Sequence, residues 1–277
     1  MSGPNVGLLQ KVLVNGALLG FAVVSLAPLL WMLSVSFMVQ GEANTLPPPL
    51  LPDAPTLQNY REVFLRLGVG RYMLNSFGVA LAVTALSLAL NTMAGYAFAK
   101  LRFSGRDRIF RGLLGALVIP AQIAMMPLFL MLKWMGLVNS YAGVVIPAMA
   151  SVFGIFLVRQ YARSLPDELL EAARIDGAGE LRIFVQIVLP LLTPILVTLA
   201  MFTFLASWND FMWPLIVLSD SELHTLPVAL SNLSREHVQD NEMMMAGAVL
   251  TILPVLLLFL GLQRYYLQGL LLGSVKG

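Results

Sequence analysis

The chain has 277 residues, of which 58% are hydrophobic and only 12% charged, with a mean hydropathy of +0.81 and a formal net charge of +2. A soluble globular domain carries about a quarter charged residues, so this composition excludes one and points to a polytopic membrane protein. Cysteine is absent, which excludes disulfides, thiolate nucleophiles and sulfur-rich metal sites.

Six runs contain no Asp, Glu, Lys or Arg, and each is long enough to cross a hydrocarbon core as a helix, which takes about 20 residues. The first, 12–41, is longer than the apolar core of a cleaved signal peptide and lacks small-residue cleavage chemistry, so it is expected to remain as an anchor. After it, 45–55 is rich in proline and reads as extended. Thr56 is then placed to cap a short amphipathic helix with Leu57, Tyr60, Phe64 and Leu67 along one side, suited to a membrane surface or a neighbouring subunit. The second run, 72–99, carries Ser76, Gly78, Ala80, Ala82, Ala85, Ser87, Ala89, Gly95 and Ala97. Small residues allow close helix approach in lipid, so this helix is expected inside a bundle, whereas the first and last runs, richer in Leu and Val, read as lipid-facing.

A basic stretch, Lys100 to Arg111, leads into the third run, 112–132, where Pro120 and Pro127 bracket Gln122 and mark a bend around a pathway. The fourth run is 134–158. The fifth, 183–209, continues past Asp210 to about Leu218, and the sixth is 243–263. Together they predict an all-α fold, one transmembrane domain with spans at 12–38, 72–99, 110–132, 138–160, 184–218 and 243–265.

Between the fourth and fifth runs lies the polar segment 164–190, SLPDELLEAARIDGAGELRIFVQIVLP. Ser164, with Asp167 three residues on and Pro166 in the first turn, predicts a helix starting near Leu165. Leu165, Leu169, Ala172 and Ala173 recur at helical spacing, and Asp176, Gly177 and Gly179 stop it. Of the 17 basic residues, 12 fall on the side of the membrane that holds this segment and both termini, including Lys11, Arg264 and Lys276. The other five are Arg61, Arg66, Arg71, Lys133 and Arg235, so the segment and both termini are expected in the cytoplasm. The pI near 9.0 follows from these loops and says little about nucleic acid.

Within residues 206–214, ASWNDFMWP, Asp210 is the costliest group in an apolar run. With Asn209 and Trp208 it could line a polar pathway, a sugar stacking on the indole, or the aromatic residues could form an interfacial belt with Asp210 reaching headgroups. The loop 219–242 reads as solvated. His224 and His237 have no metal-ligand spacing, and no metal or cofactor is expected. No phosphate-binding glycine loop is present, so ATP hydrolysis belongs on another chain and no catalytic residues are assigned here.

Glu171, Ala172, Ala173, Asp176, Gly177, Ile187, Leu189 and Pro190 together resemble the EAA signature of the membrane subunits of bacterial ABC importers. Asn75 and Ser76, residues 95–103 (GYAFAKLRF), Pro127 with residues 136–143, Trp208, Asn209 and Asp210, and the tail 263–277 ending GSVKG resemble that family's carbohydrate-importing branch, which includes the maltose and glycerol-phosphate permeases. One departure is Ser36-Phe37-Met38, where many relatives carry a Lys close to a Ser. The resemblance implies a type I importer fold in the bacterial plasma (inner) membrane, a second permease subunit, two ATP-binding-cassette subunits, an extracytoplasmic solute-binding protein and a sugar-like cargo. It further implies that Glu171, Ala172, Ala173, Arg174, Asp176 and Gly177 form a coupling helix seated in a cleft of the ATPase. In the best understood relatives the sugar is held largely by the other permease. The rivals are an ordinary interfacial helix at 164–190 and, for the whole chain, a stand-alone six-helix secondary transporter or channel.

Overall fold

A computed structural model describes residues 8–236 and 240–274, and every regular element among them is helical. His237, expected to be solvated, and Lys276, in the tail carrying the resemblance, lie outside the described residues. Two compact units divide the chain, Met1–Val69 with Leu230–Leu253 and Gly70–Ala229 with Pro254–Gly277.

In the first unit, α1 (Leu8–Val35) runs through Pro28 without a break. Only 6% of its most apolar stretch is buried, against 17% in the last apolar helix and 33% in α3 (Val69–Lys100), the order that leucine content and small residues predict. Helix α2 (Gln58–Leu65) follows the proline-rich loop, with Thr56 Oγ1 accepting from the Gln58 amide. Its inward face differs from the expected stripe. Asn59 and Val63 are buried, with Asn59 Nδ2 donating to the carbonyls of Ser36 and Met38, while Leu57 and Phe64 are exposed. The carbonyls of Ser36 and Met38, just past the end of α1, need a donor more than the site needs another leucine.

The loop expected to be solvated is largely structured. It contains an 11-residue helix, α13 (Leu226–Glu236), and ends on two buried acids. Asp240 Oδ2 accepts from Gln40 Nε2 at 3.0 Å and Glu242 Oε1 from the Ala43 amide at 2.8 Å, so these carboxylates serve as acceptors for backbone and side-chain donors in the first unit and are withheld from water.

In the second unit, α3 presents a polar inner row of Ser76, Thr84, Ser87, Asn91 and Thr92, all buried. Asn91 clips α3 to the fourth run: its Oδ1 accepts from the Ser151 amide at 3.0 Å and its Nδ2 donates to Ser87 Oγ at 2.6 Å. That run is two helices, α6 (Tyr141–Ala148) and α7 (Val152–Ala162), the second capped by Ser151 Oγ on the Gly154 amide. The third run is bent by 103° between α4 (Arg106–Ala116) and α5 (Ala121–Trp134). Pro120 supplies no amide proton and disfavours helical geometry at Ile119, so the turn falls just before it, whereas Pro127 stays inside α5.

The fifth run is also broken. Helix α9 (Glu180–Ile183) passes through a π turn at Phe184–Val188 into the short α10 (Leu189–Leu191), then turns by 77° into α11 (Thr193–Trp208). After a non-helical step at 209–211 comes α12 (Met212–Val217), and the chain closes with α14 (Asn241–Ser274). Among the described residues four helices are long and apolar enough to span alone, and counting each bent pair as one span gives six. Trp213 locks α12 in place, its Nε1 donating to the Gly143 carbonyl at 3.1 Å inside a cluster with Val79, Val83, Leu132, Val144 and Val217.

Candidate functional site

The polar segment forms α8 (Asp167–Ile175), with Pro166 as its N-cap. Ser164 does not cap it: its hydroxyl donates to the Tyr161 carbonyl at 2.7 Å, which closes the preceding helix and moves the start two residues beyond Leu165. Asp167 and Glu168 occupy the first turn, where negative charge complements the helix dipole.

Three devices fix this short helix. Leu170, 2% exposed, enters a core cluster with Tyr96, Val158, Ala162, Ile183, Val188, Leu192, Ile195 and Leu199; burying such a side chain contributes about 2 kcal/mol. At the N-terminus, Lys100 extends from the end of α3, its side chain only 6% exposed, and its Nζ donates to the Leu165 carbonyl at 2.6 Å and to Asp167 Oδ1 at 2.5 Å. That hydrogen bond, with the charge behind it, holds the Asp167 carboxyl below its ordinary value.

At the C-terminus, Gly177 takes φ +82. The Ala178 amide donates to the Ala173 carbonyl and the Gly177 amide to that of Arg174, at 2.9 and 3.0 Å, the paired bonds of a Schellman turn. Ala173 and Ala178 both pack on the core cluster. An added Cβ at Gly177 would meet no heavy atom within 4 Å. The glycine is therefore required by its backbone angle and not by crowding. Across the turn Arg174 bridges to Glu180 at 2.7 Å, and the Tyr96 hydroxyl reaches the same carboxylate at 3.3 Å. The hydrogen bond that Arg174 donates to Glu180 raises its guanidinium above the ordinary value.

So held, α8 turns Glu171, Ala172, Arg174, Asp176 and Gly177 outward, while Ala173 is half-buried. Two large apolar side chains stand among them, Ile175 at 86% and Leu181 at 77% exposed. Lys100, Tyr96 and Glu180 were not singled out from the sequence as site residues. The partners of Lys100 and Tyr96 lie 65 to 84 positions away, beyond the reach of local periodicity, while Glu180 pairs with Arg174 six positions before it across a turn.

The pathway candidates do not come together. Asp210 lines a cavity of about 490 Å3 with Ser87, Ser151, Thr203, Ser207, Phe153 and Phe202 among its walls. It sits in the non-helical step between α11 and α12, with one oxygen 3.4 Å from the Trp213 amide. Trp208 is 2% exposed and stacks on Phe204 at 6.0 Å, so its ring is covered by protein. Asn209 is exposed and donates to the Leu205 carbonyl, and Gln122 is exposed on α5; neither lines this cavity.

Residues 91–271 match the family model described as binding-protein-dependent transport system inner membrane component. An arabinooligosaccharides transport system permease protein, AraQ, of Halalkalibacterium halodurans is 39% identical over 92% of this chain and 93% of its own. The lactose transport system permease protein LacG of Rhizobium radiobacter is 34% identical over 92% and 95%, and the sn-glycerol-3-phosphate transport system permease protein UgpE of Pectobacterium atrosepticum 34% over 90% and 92%. Among solved structures, a chain of a bacterial ABC transporter involved in the import of the acidic polysaccharide alginate superposes with a TM-score of 0.84 at 25% identity, covering 95% of this chain and all of that one.

Proposed function

The chain belongs to the family of binding-protein-dependent transport system inner membrane components, and from that premise we propose how this subunit couples and what it carries. It is a multi-pass membrane-spanning permease subunit of an ABC importer. In our reading a second permease completes the pathway, two ATP-binding-cassette subunits hydrolyse ATP, an extracytoplasmic binding protein delivers the solute, and both termini face the cytoplasm.

Helix α8 is the element that receives the ATPase stroke. The observation that carries this is its combination of an outward surface, formed by Glu171, Ala172, Arg174, Ile175, Asp176 and Gly177, with anchors at both ends. A docking element must be accessible to its partner yet unable to rotate on its own core, because only a rigid contact transmits a displacement. Glu171 offers a carboxylate to the partner cleft, and Ile175 and Leu181 supply the apolar area that a desolvated contact needs.

The cargo is a neutral, sugar-like solute. The lining of the Asp210 cavity holds one carboxylate, the hydroxyls of Ser87, Ser151, Thr203 and Ser207, and an edge-to-face pair of Phe153 and Phe202 with centroids 6.2 Å apart. Among the described residues that line it there is no Lys, Arg or His. That chemistry suits hydroxyl groups and the apolar face of a pyranose, and it repels a phosphate ester or uronate.

The test is purification of the tagged chain in mild detergent followed by ATP-driven uptake after reconstitution. Glu171→Lys is expected to leave membrane insertion intact while releasing the ATPase chain and abolishing uptake. Wild-type uptake by that variant refutes the docking role, and uptake with no ATPase present favours a secondary transporter.

A further inference from the structure

The linker between α3 and α4 builds a basic groove that neither coupling nor cargo passage uses. Arg102, Arg106, Arg108 and Arg111 line it with Phe103, Ser104 and Gly105, and Asp107 is its one acid. Asp107 is already engaged: its carboxylate lies 3.3 Å from Arg106 and 3.9 Å from Arg159. Arg159 in turn lies over the Phe110 ring at 3.9 Å, so α4 is tied to α7. Among the described residues, no carboxylate lies within ion-pair distance of Arg102, Arg108 or Arg111.

The groove also contains the start of an 11-residue helix whose N-cap, Gly105 at φ +81, supplies no side-chain acceptor. The positive end of the helix dipole thus lies among these four guanidinium groups, the composition of a phosphate site. The stretch just beyond α4 indicates which phosphate. Leu117, Val118 and Ile119 are 53%, 83% and 59% exposed, and Ile123 is 67% exposed. Arg111 precedes Leu117 by six residues, about 9 Å of helix, comparable to the depth of the headgroup layer on one face of a bilayer. A basic groove one headgroup layer from a band of exposed aliphatic side chains is positioned for an amphiphile with an anionic head.

We propose that the groove formed by Arg102, Arg106, Arg108, Arg111 and the N-terminus of α4 binds the phosphate of an anionic phospholipid, with the acyl chains lying along Leu117, Val118, Ile119 and Ile123. The bound lipid neutralises a cluster of like charge beside α7, and it links the charge of the surrounding leaflet to the helix that, with α3, carries α8. A free phosphate would need the same head contacts but would gain nothing from the aliphatic band.

The experiment uses the assembled importer in mild detergent, offered mixed phosphatidylglycerol and phosphatidylcholine and then examined by native mass spectrometry. The expected result is selective retention of phosphatidylglycerol, weakened about fivefold for each arginine replaced in R102Q, R108Q and R111Q. R102K, R108K and R111K keep the charge but lose bidentate geometry, so they should fall between, and they keep the test alive if the glutamine variants assemble poorly. R61Q with R66Q, at α2, should retain lipid as the wild type does. Equal retention of the two lipids overturns the proposal, as does undiminished retention in the triple glutamine variant. Displacement by inorganic phosphate as readily as by phosphatidylglycerol would make this a free-phosphate site and overturn it. A triple variant that keeps its lipid but loses a partner chain would mark the groove as a protein contact, which also overturns it.

Discussion

The turn at Gly177 allows backbone strain and steric obstruction to be separated. At φ +82 an L-residue is disfavoured by about 1 to 2 kcal/mol, a factor of about 5 to 30 in the occupancy of the turn. The space around it is open, with no heavy atom within 4 Å of an added Cβ. Penalties should therefore follow tolerance of left-handed backbone, with Gly177→Asn mildest, Gly177→Ala intermediate and Gly177→Val worst, because a β-branched residue is least tolerated there. Hydrogen exchange at the Ala178 amide, which donates to Ala173 across the turn, reports the occupancy directly. Uptake per ATP hydrolysed in proteoliposomes reports the coupling. The two readouts should fall in the same order, with exchange in Gly177→Ala faster by that same factor. If Gly177→Asn abolishes coupling while the Ala178 amide stays protected, the partner cleft rejects the side chain itself and the conformational reasoning is refuted.

Replacing Lys100 by Met removes the donor to Leu165 and Asp167, and a nitroxide at exposed position 168 should report a looser α8 with ATP hydrolysis less tightly tied to uptake. Because Asp167 has a depressed folded pKa, its share of the tether is present above the ordinary value of 3.8 and is lost as pH falls through the lower folded value; unchanged wild-type mobility from neutral to mildly acidic pH is the expected result, and loosening within that range would contradict it. At Gly95 an added Cβ would stand 2.6 Å from Val158 Cβ and 3.0 Å from the Arg159 amide nitrogen. Gly95→Ala should therefore cost about 1 to 3 kcal/mol, seen as a lower melting temperature that Val158→Ala, which keeps the Cβ, does not restore. Asp210→Asn should preserve uptake of a neutral sugar and relax exclusion of its phosphorylated analogue, measured by competition; unchanged exclusion would remove Asp210 from the selectivity of the cavity.

Charge-free runs made the long apolar helices legible, because bilayer thickness acts on composition alone; among the described residues four of them can span alone, and six segments result if each bent pair is one span. Gly177 and Asp176 were legible as a stop, since a left-handed turn imposes its demand on one residue. Features that depend on distant partners were not. Ser164 has the composition of a cap, yet the Tyr161 carbonyl takes its proton. Trp208 looked suited to stacking on a sugar until Phe204 proved to cover its face. Asp240 and Glu242 looked solvated because acids usually are, and only their placement against Gln40 and Ala43 made burial tolerable. The bend before Pro120 was visible, but its 103° angle depends on how α4 and α5 pack.

The 77° corner between α10 and α11, preceded by a π turn, gives the segment the mechanics of a crank. A straight rod would deliver a push on α8 as an equal translation at its far end. A corner instead lets a small displacement become a tilt of α11, and 16 residues make an arm of about 24 Å. A tilt of about 5° would sweep the tip, and with it Asp210, through about 2 Å. That is the scale on which a hydrogen bond to a sugar hydroxyl is made or lost. The gearing ratio is then set by the length of α11, so lengthening or shortening that helix by one turn would retune the stroke delivered to the cavity while leaving the proposed docking surface on α8 untouched.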